Sequence, residues 1–304
     1  MEQKEYKKVS IEGLPLIGAG ANGAVYRLNQ EQIIKVYNPL TNPMGKILQE
    51  KKTAKEAFTH GIPTAISFDM VQVDEKYGII YEMIDAKTLG TTMSENPEQL
   101  DALAVRMAQL LKKLHSTEFE SGVLPDARDS LMIWVKVAER SGIYDDDLID
   151  KMREVVRGIP DGNTFVHGDF HPGNIMVSRD ELLLIDMGES GVGSPLADLM
   201  CTFQIMMMMT RHEGSAMRYM SISNEQSRRV WNVFIREYLG DDDPGRIAAL
   251  EQKLMFLGLI RTLAGLTFTK IVDGPEREGY IKQVAEHFLI GYEKMMQHVG
   301  RCGV

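Results

Sequence analysis

A short polar segment concentrates side chains that can bind metal ions or move protons. The stretch HGDFHPGN, residues 167–174, holds His167, Asp169, His171 and Asn174. The segment IMVSRDELLLIDMG that follows predicts a hairpin, and it delivers one more acid, Asp186. Two chemistries suit this set, namely metal-assisted hydrolysis through the imidazoles and phosphoryl transfer through the carboxylates and the amide. A polar loop without special chemistry is the third interpretation.

A zinc-hydrolase site would need further histidines with metal-binding spacing. The other histidines lie in segments that read as helical, without a pair such as H-E-x-x-H: His60, His115, His212, His287 and His298. The phosphoryl-transfer interpretation accounts for more positions. Asn174 follows Asp169 by five residues, and Asp186 follows it by seventeen across the hairpin. This is the order of a catalytic-loop aspartate and two oxygen ligands for Mg²⁺, so we favour phosphoryl transfer.

A glycine loop near the N-terminus supports that choice. The segment IGAGANGAVYRL places three glycines in G-x-G-x-x-G spacing around an asparagine: Gly18, Gly20, Asn22 and Gly23. A dinucleotide-binding fold would require a helix directly after the last glycine. Instead, AVYRLN (24–29) and QIIKVYN (32–38) are typical of strands. The order strand, glycine loop, strand and then Lys35 indicates a phosphate-binding lobe.

A phosphate-binding lysine needs an acidic partner, and two glutamates on the next predicted helix compete for the role. The helix is predicted between the signals at Asn42-Pro43 and Gly61. With Ile47 at the centre of its apolar face, Phe58 falls at about +20°, within that face. Glu50 falls at about −60°, on the border of the face, and Glu56 at about 180°, toward solvent. We predict that Glu50 is the partner of Lys35.

The elements that would position these residues change character along the chain. ISFDMVQV and GIIYEMI predict a second hairpin, and helical periodicity begins after about residue 88. Apolar residues then recur at helical spacing: Leu100, Leu103, Met107, Leu110, Leu111 and Leu114. We predict an α+β fold class, with a small β-rich lobe at 1–84 and a larger helical lobe at 85–304, joined near 82–87.

Composition narrows the classes of function. A hydrophobic content of 44% and a charged content of 25% are ordinary for a globular protein. The apolar runs are shorter than the roughly 20 residues of a membrane span, and the first residues lack the apolar core of a signal peptide. Cys201 and Cys302 predict neither a disulfide framework nor a metal site. We therefore expect a cytoplasmic protein without a membrane partner. A net charge of −9 disfavours nucleic-acid binding and is compatible with a cationic substrate.

The segments HGDFHPGNIMV and LLLIDMGESGVGSPLADL together resemble the aminoglycoside phosphotransferase and choline kinase-like family of small-molecule kinases. The resemblance is sharpest over 165–200 and extends more loosely over 14–90. It implies a protein kinase-like two-lobed fold with ATP and Mg²⁺ as cofactors. The implied phosphate acceptor is a hydroxyl of a small molecule, such as an amino alcohol, an aminosugar or an aminoglycoside.

The resemblance also implies roles for individual residues. Asp169 would be the catalytic base, and Asn174 and Asp186 would hold Mg²⁺. His167 would brace the catalytic loop, and Asp198 would cap or anchor the helix that supports it. The residues implied in nucleotide binding are Gly18, Gly20, Asn22, Gly23, Lys35, Glu50, and Glu82 and Ile84, whose backbone would meet adenine.

Two other functions stay open. A protein kinase is disfavoured because GSPLADL follows Asp186 within a dozen residues and leaves no room for a long activation loop. A catalytically silent nucleotide-binding protein is disfavoured because the set implied in catalysis is intact. Trp134, Trp231 and Tyr238 could form an aromatic wall for an amine, but we favour the interpretation that they anchor helices. Oligomeric state is not predicted.

Overall fold

The computed structural model describes residues 5–20, 22–179, 181–269 and 272–299. Internal contacts divide the chain into two compact units, the first made of 1–89 and 174–190 and the second of 90–173 and 191–304. The first unit is rich in strands and the second in helices, which agrees with the predicted α+β class. No helix in the described ranges is long and apolar enough to cross a membrane.

Six strands of the first unit form one sheet in the order β1-β5-β6-β4-β3-β2. All neighbours pair antiparallel except β1, which is parallel to β5. The predicted hairpins are therefore present, and the short first strand was not predicted. The strands are β1 (Lys7–Lys8), β2 (Leu16–Gly20), β3 (Gly23–Arg27), β4 (Gln32–Tyr37), β5 (Ser67–Val73) and β6 (Lys76–Glu82).

The two faces of β4 serve different purposes. Alternate side chains of a strand point to opposite faces of its sheet. Ile34 and Val36 accordingly join one apolar cluster, whereas Tyr37 packs with Ile47 of the following helix in another. Lys35 has the same parity as Tyr37, so β4 directs its ammonium group toward the helix-covered face.

That helix, α1 (Met44–Thr59), begins and ends where the sequence predicts. The side-chain amide of Asn42 donates to the backbone oxygens of Asn22 and Asn38, which fixes the chain just before the helix. Gly61 follows the helix with a φ of +77°, a conformation that favours glycine. The buried face is narrower than expected, because Phe58 in the last turn is 47% exposed.

A second, three-stranded sheet of the first unit has the order β10-β9-β7. Its strands are β7 (Lys87–Thr88), β9 (Ile175–Ser178) and β10 (Glu181–Leu184). The backbone of Leu184 donates to the Pro63 oxygen and its oxygen accepts from the Thr64 hydroxyl. These bonds place the hairpin in the strand-rich unit, whereas the predicted division at residue 84 assigned it to the helical lobe.

The second unit consists mainly of helices. Its two short strands, β8 (Thr164–Val166) and β11 (Gly191–Gly193), pair antiparallel. A π-helical turn, Gln204–Met208, and a 3₁₀ turn, Met209–Arg211, connect two of the helices. The helices after α2 (Leu89–Glu95), which starts at the boundary of the units, are α3 (Leu100–His115), α4 (Ala127–Arg140), α5 (Asp146–Arg157), α6 (Pro195–Phe203), α7 (Ser215–Met220), α8 (Asn224–Leu239), α9 (Pro244–Phe268) and α10 (Glu276–Val299).

Acidic runs and aromatic residues of the second unit have structural roles. Asp145 and Asp243 accept backbone hydrogen bonds as the N-caps of α5 and α9. Trp231 is fully buried and donates its indole N–H to Glu251. Tyr238 bonds to His115. The structure therefore uses Trp231 and Tyr238 to join helices.

Candidate active site

Lys35 lies at the centre of a buried charge cluster in the first unit. Its Nζ is 2.7 Å from Glu50 Oε1 and 2.9 Å from Asp186 Oδ1. Burial alone would lower the pKa of Lys35, but Asp186 and Glu50 outweigh it and hold that pKa well above its ordinary value. Lys35 therefore remains a cation held between two carboxylates.

Lys35, Glu50 and Asp186 come from three separate elements of the first unit. Lys35 comes from the middle of β4, opposite Ile79 of β6. Glu50 comes from the second turn of α1 and is only 4% exposed, as the helical-angle argument predicts. Asp186 follows β10 with a left-handed φ of +62°, a conformation that aspartate tolerates better than most residues. That conformation turns the chain directly after the hairpin.

Tyrosine hydroxyls complete the surroundings of Glu50. Tyr81 donates to Glu50 Oε1 at 3.1 Å, and the hydroxyls of Tyr37 and Tyr81 lie 3.4 Å apart. Burial, followed by the charge of Glu50, raises the pKa of Tyr81 well above its ordinary value. Tyr81 therefore stays protonated and fixes the carboxylate that faces Lys35.

Asn174 and Asp186 lie at the open end of the β9–β10 hairpin. Ile175 pairs with Leu184, and the next backbone bond runs from the Ile185 N–H to the Asn174 oxygen. The hairpin thus brings together two residues that are twelve positions apart in the sequence. Both are partly buried and both offer oxygen donors. This donor set fits Mg²⁺, which prefers carboxylate and amide oxygens.

In the glycine loop, the packing of the protein requires a glycine at position 23 but not at position 20. A Cβ on Gly23 would lie 2.1 Å from the Val36 oxygen, and Gly23 has a φ of +151°. A Cβ on Gly20 would meet no atom within 4 Å. Gly23 is therefore needed for the pairing of β3 with β4, whereas packing places no such demand on Gly20. Gly18 also has room. The backbone oxygen of Asn22 accepts from the Asn38 N–H and from the side-chain amide of Asn42.

The backbone predicted to meet adenine, 82–84, begins at the last residue of β6. Glu82 is the last residue of that strand and pairs with Gln32. The Met83 N–H donates to the Glu31 oxygen. The Ile84 N–H has no acceptor within the part of the chain that the structure describes, and its oxygen accepts from Ala86. Ile84 thus offers a backbone donor of the kind that a purine base could use.

Asp169 belongs to the second unit and is surrounded by cationic and polar groups. Its Oδ1 accepts from Arg261 Nη2 at 3.0 Å, and its Oδ2 lies 3.6 Å from His171 Nε2. The backbone N–H of Asp169 donates to His167 Nδ1 at 3.2 Å. His171 Nδ1 accepts from the Gly173 N–H, so a neutral His171 carries its proton on Nε2, toward Asp169.

These contacts set the charge state of Asp169. Burial alone would raise the pKa of its carboxyl group, but Arg261 and His171 outweigh burial and hold the pKa well below its usual range. The side chain is 24% exposed. Asp169 is therefore an ionised carboxylate that solvent can reach.

Asp198 anchors the loop at 167–174 rather than its own helix. The N-cap of α6 is Ser194, which accepts from the Leu196 N–H. Asp198 is fully buried, and its carboxylate accepts from the backbone N–H groups of His167 and Gly168 at 2.8 and 2.6 Å. His115 Nε2 lies 3.1 Å from the same carboxylate. The expected cap is thus replaced by direct bonds to the loop.

Arg261 is the residue of this site that sequence reasoning missed. Its guanidinium bonds Asp169 and the Gly168 oxygen, and it lies 4.9 Å from the ring centre of Trp134. It is 9% exposed in the middle of α9. The signal was one arginine in the apolar run LMFLGLIRTLAGL, since a buried arginine requires an acidic partner. Spacing could not identify the partner.

The histidines do not gather into a metal site. No group of three His, Cys, Asp or Glu side chains with metal-binding geometry occurs among the residues that the structure describes. His167 and His171 instead accept backbone bonds of their own loop. Cys201 is buried, and burial raises the pKa of its thiol to about 11 despite the nearby Arg261. Cys302 lies outside the described residues.

These elements define a phosphotransferase of protein kinase-like fold, and comparison with known proteins identifies the family. Residues 13–266 match the phosphotransferase enzyme family. The chain therefore belongs to that family. No curated protein matches the sequence.

Solved structures show the same fold at low sequence identity. The ADP-bound aminoglycoside phosphotransferase APH(2'')-Ib is 17% identical, with a TM-score of 0.56, over 90% of this chain and 94% of the other. Choline kinase from Cryptosporidium parvum is 14% identical, with a TM-score of 0.56, over 94% and 90%. Aminoglycoside phosphotransferase APH(3'')-Id from Streptomyces rimosus is 16% identical, with a TM-score of 0.55, over 81% and 93%. The predicted family and fold are confirmed.

Proposed function

We propose that the protein transfers the γ-phosphoryl group of ATP to a hydroxyl of a small molecule. The observation that carries this proposal is Lys35, held as a buried cation between Glu50 and Asp186. A lysine fixed in this way between an α1 glutamate and the aspartate after a hairpin is the arrangement with which kinases bind nucleotide phosphates. Membership of the phosphotransferase enzyme family supports the same reaction.

Nucleotide binding would use the first unit. Backbone amides of the loop around Gly18, Gly20 and Asn22 would approach the phosphates, and Lys35 would neutralise part of their charge. The Ile84 N–H would donate to the base, with the Glu82 backbone beside it. Similar structures are ADP-bound in one case and GDP complexes in others, which supports a purine nucleotide. We take ATP as the donor.

Asn174 and Asp186 would hold Mg²⁺, because their oxygen donors meet at one end of the hairpin. Mg²⁺ bound there would neutralise phosphate charge. Lys35 already contacts Asp186, so the ammonium group also orients the carboxylate that would serve as a ligand. Glu50 and Tyr81 in turn fix Lys35.

Asp169 would accept the proton of the acceptor hydroxyl. Its low pKa makes it a weak base, which suits a reaction whose transition state is loose and in which the nucleophile needs orientation more than early deprotonation. Arg261 and His171 hold the carboxylate in place, and Asp198 holds the backbone of the loop. Asp169 touches the hydroxyl in this proposal, whereas Arg261 acts through Asp169.

A small-molecule acceptor is favoured over a protein. Only eight residues separate Asp186 from the start of α6 at Pro195. Part of that stretch is fixed, because Gly191–Gly193 forms β11 and pairs with β8. The chain between the two elements is too short for a long, movable activation segment, which is what protein kinases use to dock peptides.

Phosphorus NMR tests the proposal because it detects any new phosphate ester, whichever hydroxyl compound accepts the phosphoryl group. The wild-type protein is incubated with Mg·ATP and a panel of hydroxyl compounds, alongside the Lys35→Met variant and the exposed control Lys55→Met. We expect ATP consumption by wild type and by Lys55→Met, with a new phosphate-ester signal for at least one acceptor. Lys35→Met should lose about 100-fold or more in rate. Equal rates for both variants, or no Mg·ATP consumption by wild type, would contradict the proposal.

A further inference from the structure

A cavity of about 280 Å³ lies within the second unit, between the π-helical and 3₁₀ turns at 204–211, the C-terminal half of α9 and the middle of α10. One of its walls is formed by Arg261, the same side chain that bonds Asp169. Asp169 itself does not line the cavity, and the Arg261 side chain lies between the cavity and the carboxylate proposed to act on the acceptor hydroxyl.

The polar groups of the cavity are cationic or neutral. Two arginines and two histidines line it: Arg211, Arg261, His212 and His287. None of the described residues that line it is an aspartate or a glutamate. The whole chain has a net charge of −9, so the acidic composition of the protein does not explain this local excess of basic groups.

Arg211 lines the cavity and is also exposed, so it stands at the opening of the cavity toward solvent. Its described polar contact is a weak one, from Nη2 to Met255 Sδ at 3.7 Å, and no carboxylate pairs with it within the described ranges. Arg211 and the neighbouring His212 both line the cavity, and burial, followed by the charge of Arg211, lowers the pKa of His212. Arg261 differs from Arg211, since Asp169 already neutralises it.

Neutral hydrogen-bonding groups stand beside these cations. His212 Nε2 and the Tyr280 hydroxyl lie 3.0 Å apart, and the hydroxyl of Thr262 donates to the Gly258 oxygen. Gln204 and Gln283 also line the cavity. Such groups suit the hydroxyls of a polyol, and an arginine suits a carboxylate or a phosphate.

We propose that this cavity binds the anionic end of the phosphate acceptor, a small alcohol that Arg211 recognises, and that the reacting hydroxyl extends past Arg261 to Asp169. This inference rests on the proposed function, because it assigns the acceptor of the same reaction. The size of the cavity agrees, since about 280 Å³ is just below the roughly 300–1,000 Å³ of sites for drug-sized ligands. A single-ring or open-chain hydroxy acid fits that volume.

The proposal separates this protein from the relatives of similar fold. Their names point to aminoglycosides, kanamycin and choline, which are cationic. A cationic alcohol would need carboxylates or open aromatic faces in the cavity. The Arg261 guanidinium occupies the ring face of Trp134 at 4.9 Å. The aromatic residue of the cavity lining, Tyr280, packs edge-to-face with the His212 ring at 5.1 Å between ring centres.

Titration calorimetry tests the preference with three compounds that share one carbon skeleton: gluconate, glucose and glucosamine. Each is titrated into the full-length protein with Mg·ADP present. We expect gluconate to bind at least about tenfold more tightly than glucosamine, with glucose between them. Equal or tighter binding of glucosamine, or no binding of gluconate, overturns the proposal.

Two variants at Arg211 assign the preference to this residue. Arg211→Gln should weaken the binding of gluconate about tenfold and leave the binding of glucose unchanged. Arg211→Glu should bind glucosamine more tightly than gluconate. The matched control is Arg218→Gln, an exposed arginine of α7 outside the cavity lining. An unchanged ratio of gluconate to glucosamine in both Arg211 variants overturns the proposal.

The same preparations separate this inference from the proposed function. Mg·ATP hydrolysis without any acceptor is measured in wild type and in Asp169→Asn. If hydrolysis depends on Asp169 while gluconate does not bind, the phosphotransferase proposal stands and the acceptor class is wrong. If gluconate binds through Arg211 but no Asp169-dependent turnover of nucleotide occurs, the proposed function is wrong.

Discussion

Arg261 Nη2 lies 3.0 Å from Asp169 Oδ1, which joins α9 to the loop at 167–174 across 92 positions of the sequence. The second guanidinium nitrogen donates to the Gly168 oxygen. One side chain thus fixes both the charge and the backbone of the loop. Substitutions can test this contact and the cluster around Lys35 separately.

Replacement of Arg261 should shift the pH dependence of turnover. In Arg261→Met the carboxylate loses the cation that lowers its pKa, while burial still raises that pKa. The ionised carboxylate, which is the base, exists only above its pKa. As pH is lowered, turnover of the variant should therefore begin to fall at a higher pH than turnover of wild type. A pH profile of kcat/KM checks this. An acidic limb at the same pH in both proteins would contradict the proposed role of Arg261.

The same variant should be less stable. Asp169 has a folded pKa below its unfolded value of about 4, so its ion pair stabilises the fold above that pH and the contribution is lost as pH falls through the folded pKa. Loss of one partner of a buried pair costs about 3–5 kcal/mol at neutral pH. Urea unfolding measures the change. The exposed control Arg229→Met, whose partner is Asp101, should unfold like wild type, because solvent screens exposed ion pairs.

Glu50 and Glu56 provide a matched pair on one helix. Glu50→Gln removes a charge that holds Lys35, whereas Glu56→Gln leaves the cluster intact. Loss of this charge-assisted bond should weaken Mg·ATP binding by about tenfold or more, since such bonds contribute about 1.5–3 kcal/mol. Titration calorimetry on both variants gives the comparison. Equal affinities would show that Lys35 does not depend on Glu50.

Two glycines of the loop should affect different properties, Gly23 the stability of the fold and Gly20 the binding of nucleotide. Gly23→Ala would place a Cβ 2.1 Å from the Val36 oxygen at a φ of +151°, and we expect a loss of about 2–4 kcal/mol in the free energy of unfolding. Gly20→Ala meets no such contact. It should unfold like wild type and bind Mg·ATP several-fold more weakly. Thermal unfolding with and without nucleotide distinguishes the two. Normal stability of Gly23→Ala would contradict the packing argument.

Local pattern predicted most of the first unit. Strand periodicity indicated β3 to β6, and the helical angle of Glu50 from Ile47 placed it on the face toward Lys35, where the structure has it. The same angle placed Phe58 near the buried face, and this was wrong because alanines carry that face at the end of α1. Side chains near helix ends are poorly constrained by periodicity alone.

Long-range contacts of the second unit could not be predicted from the sequence. The pairing of Arg261 with Asp169 and the bonds from Asp198 to the loop depend on how helices pack, which spacing does not specify. An arginine in an apolar helix indicates that a buried acid exists, but not which one, and the sequence analysis did not use this signal. The cavity beside Arg261 combines residues of three segments for the same reason.

Phosphoryl transfer by Asp169→Asn is the most direct test of the proposed catalytic role of Asp169. Mg·ATP binding and turnover are measured for this variant, for wild type and for Asp150→Asn, an exposed control whose partner is Arg153. We expect all three proteins to bind Mg·ATP with similar affinity and the control to turn over like wild type. Asp169→Asn should be slower by about 10²- to 10⁴-fold. Turnover of Asp169→Asn close to that of wild type would contradict this role.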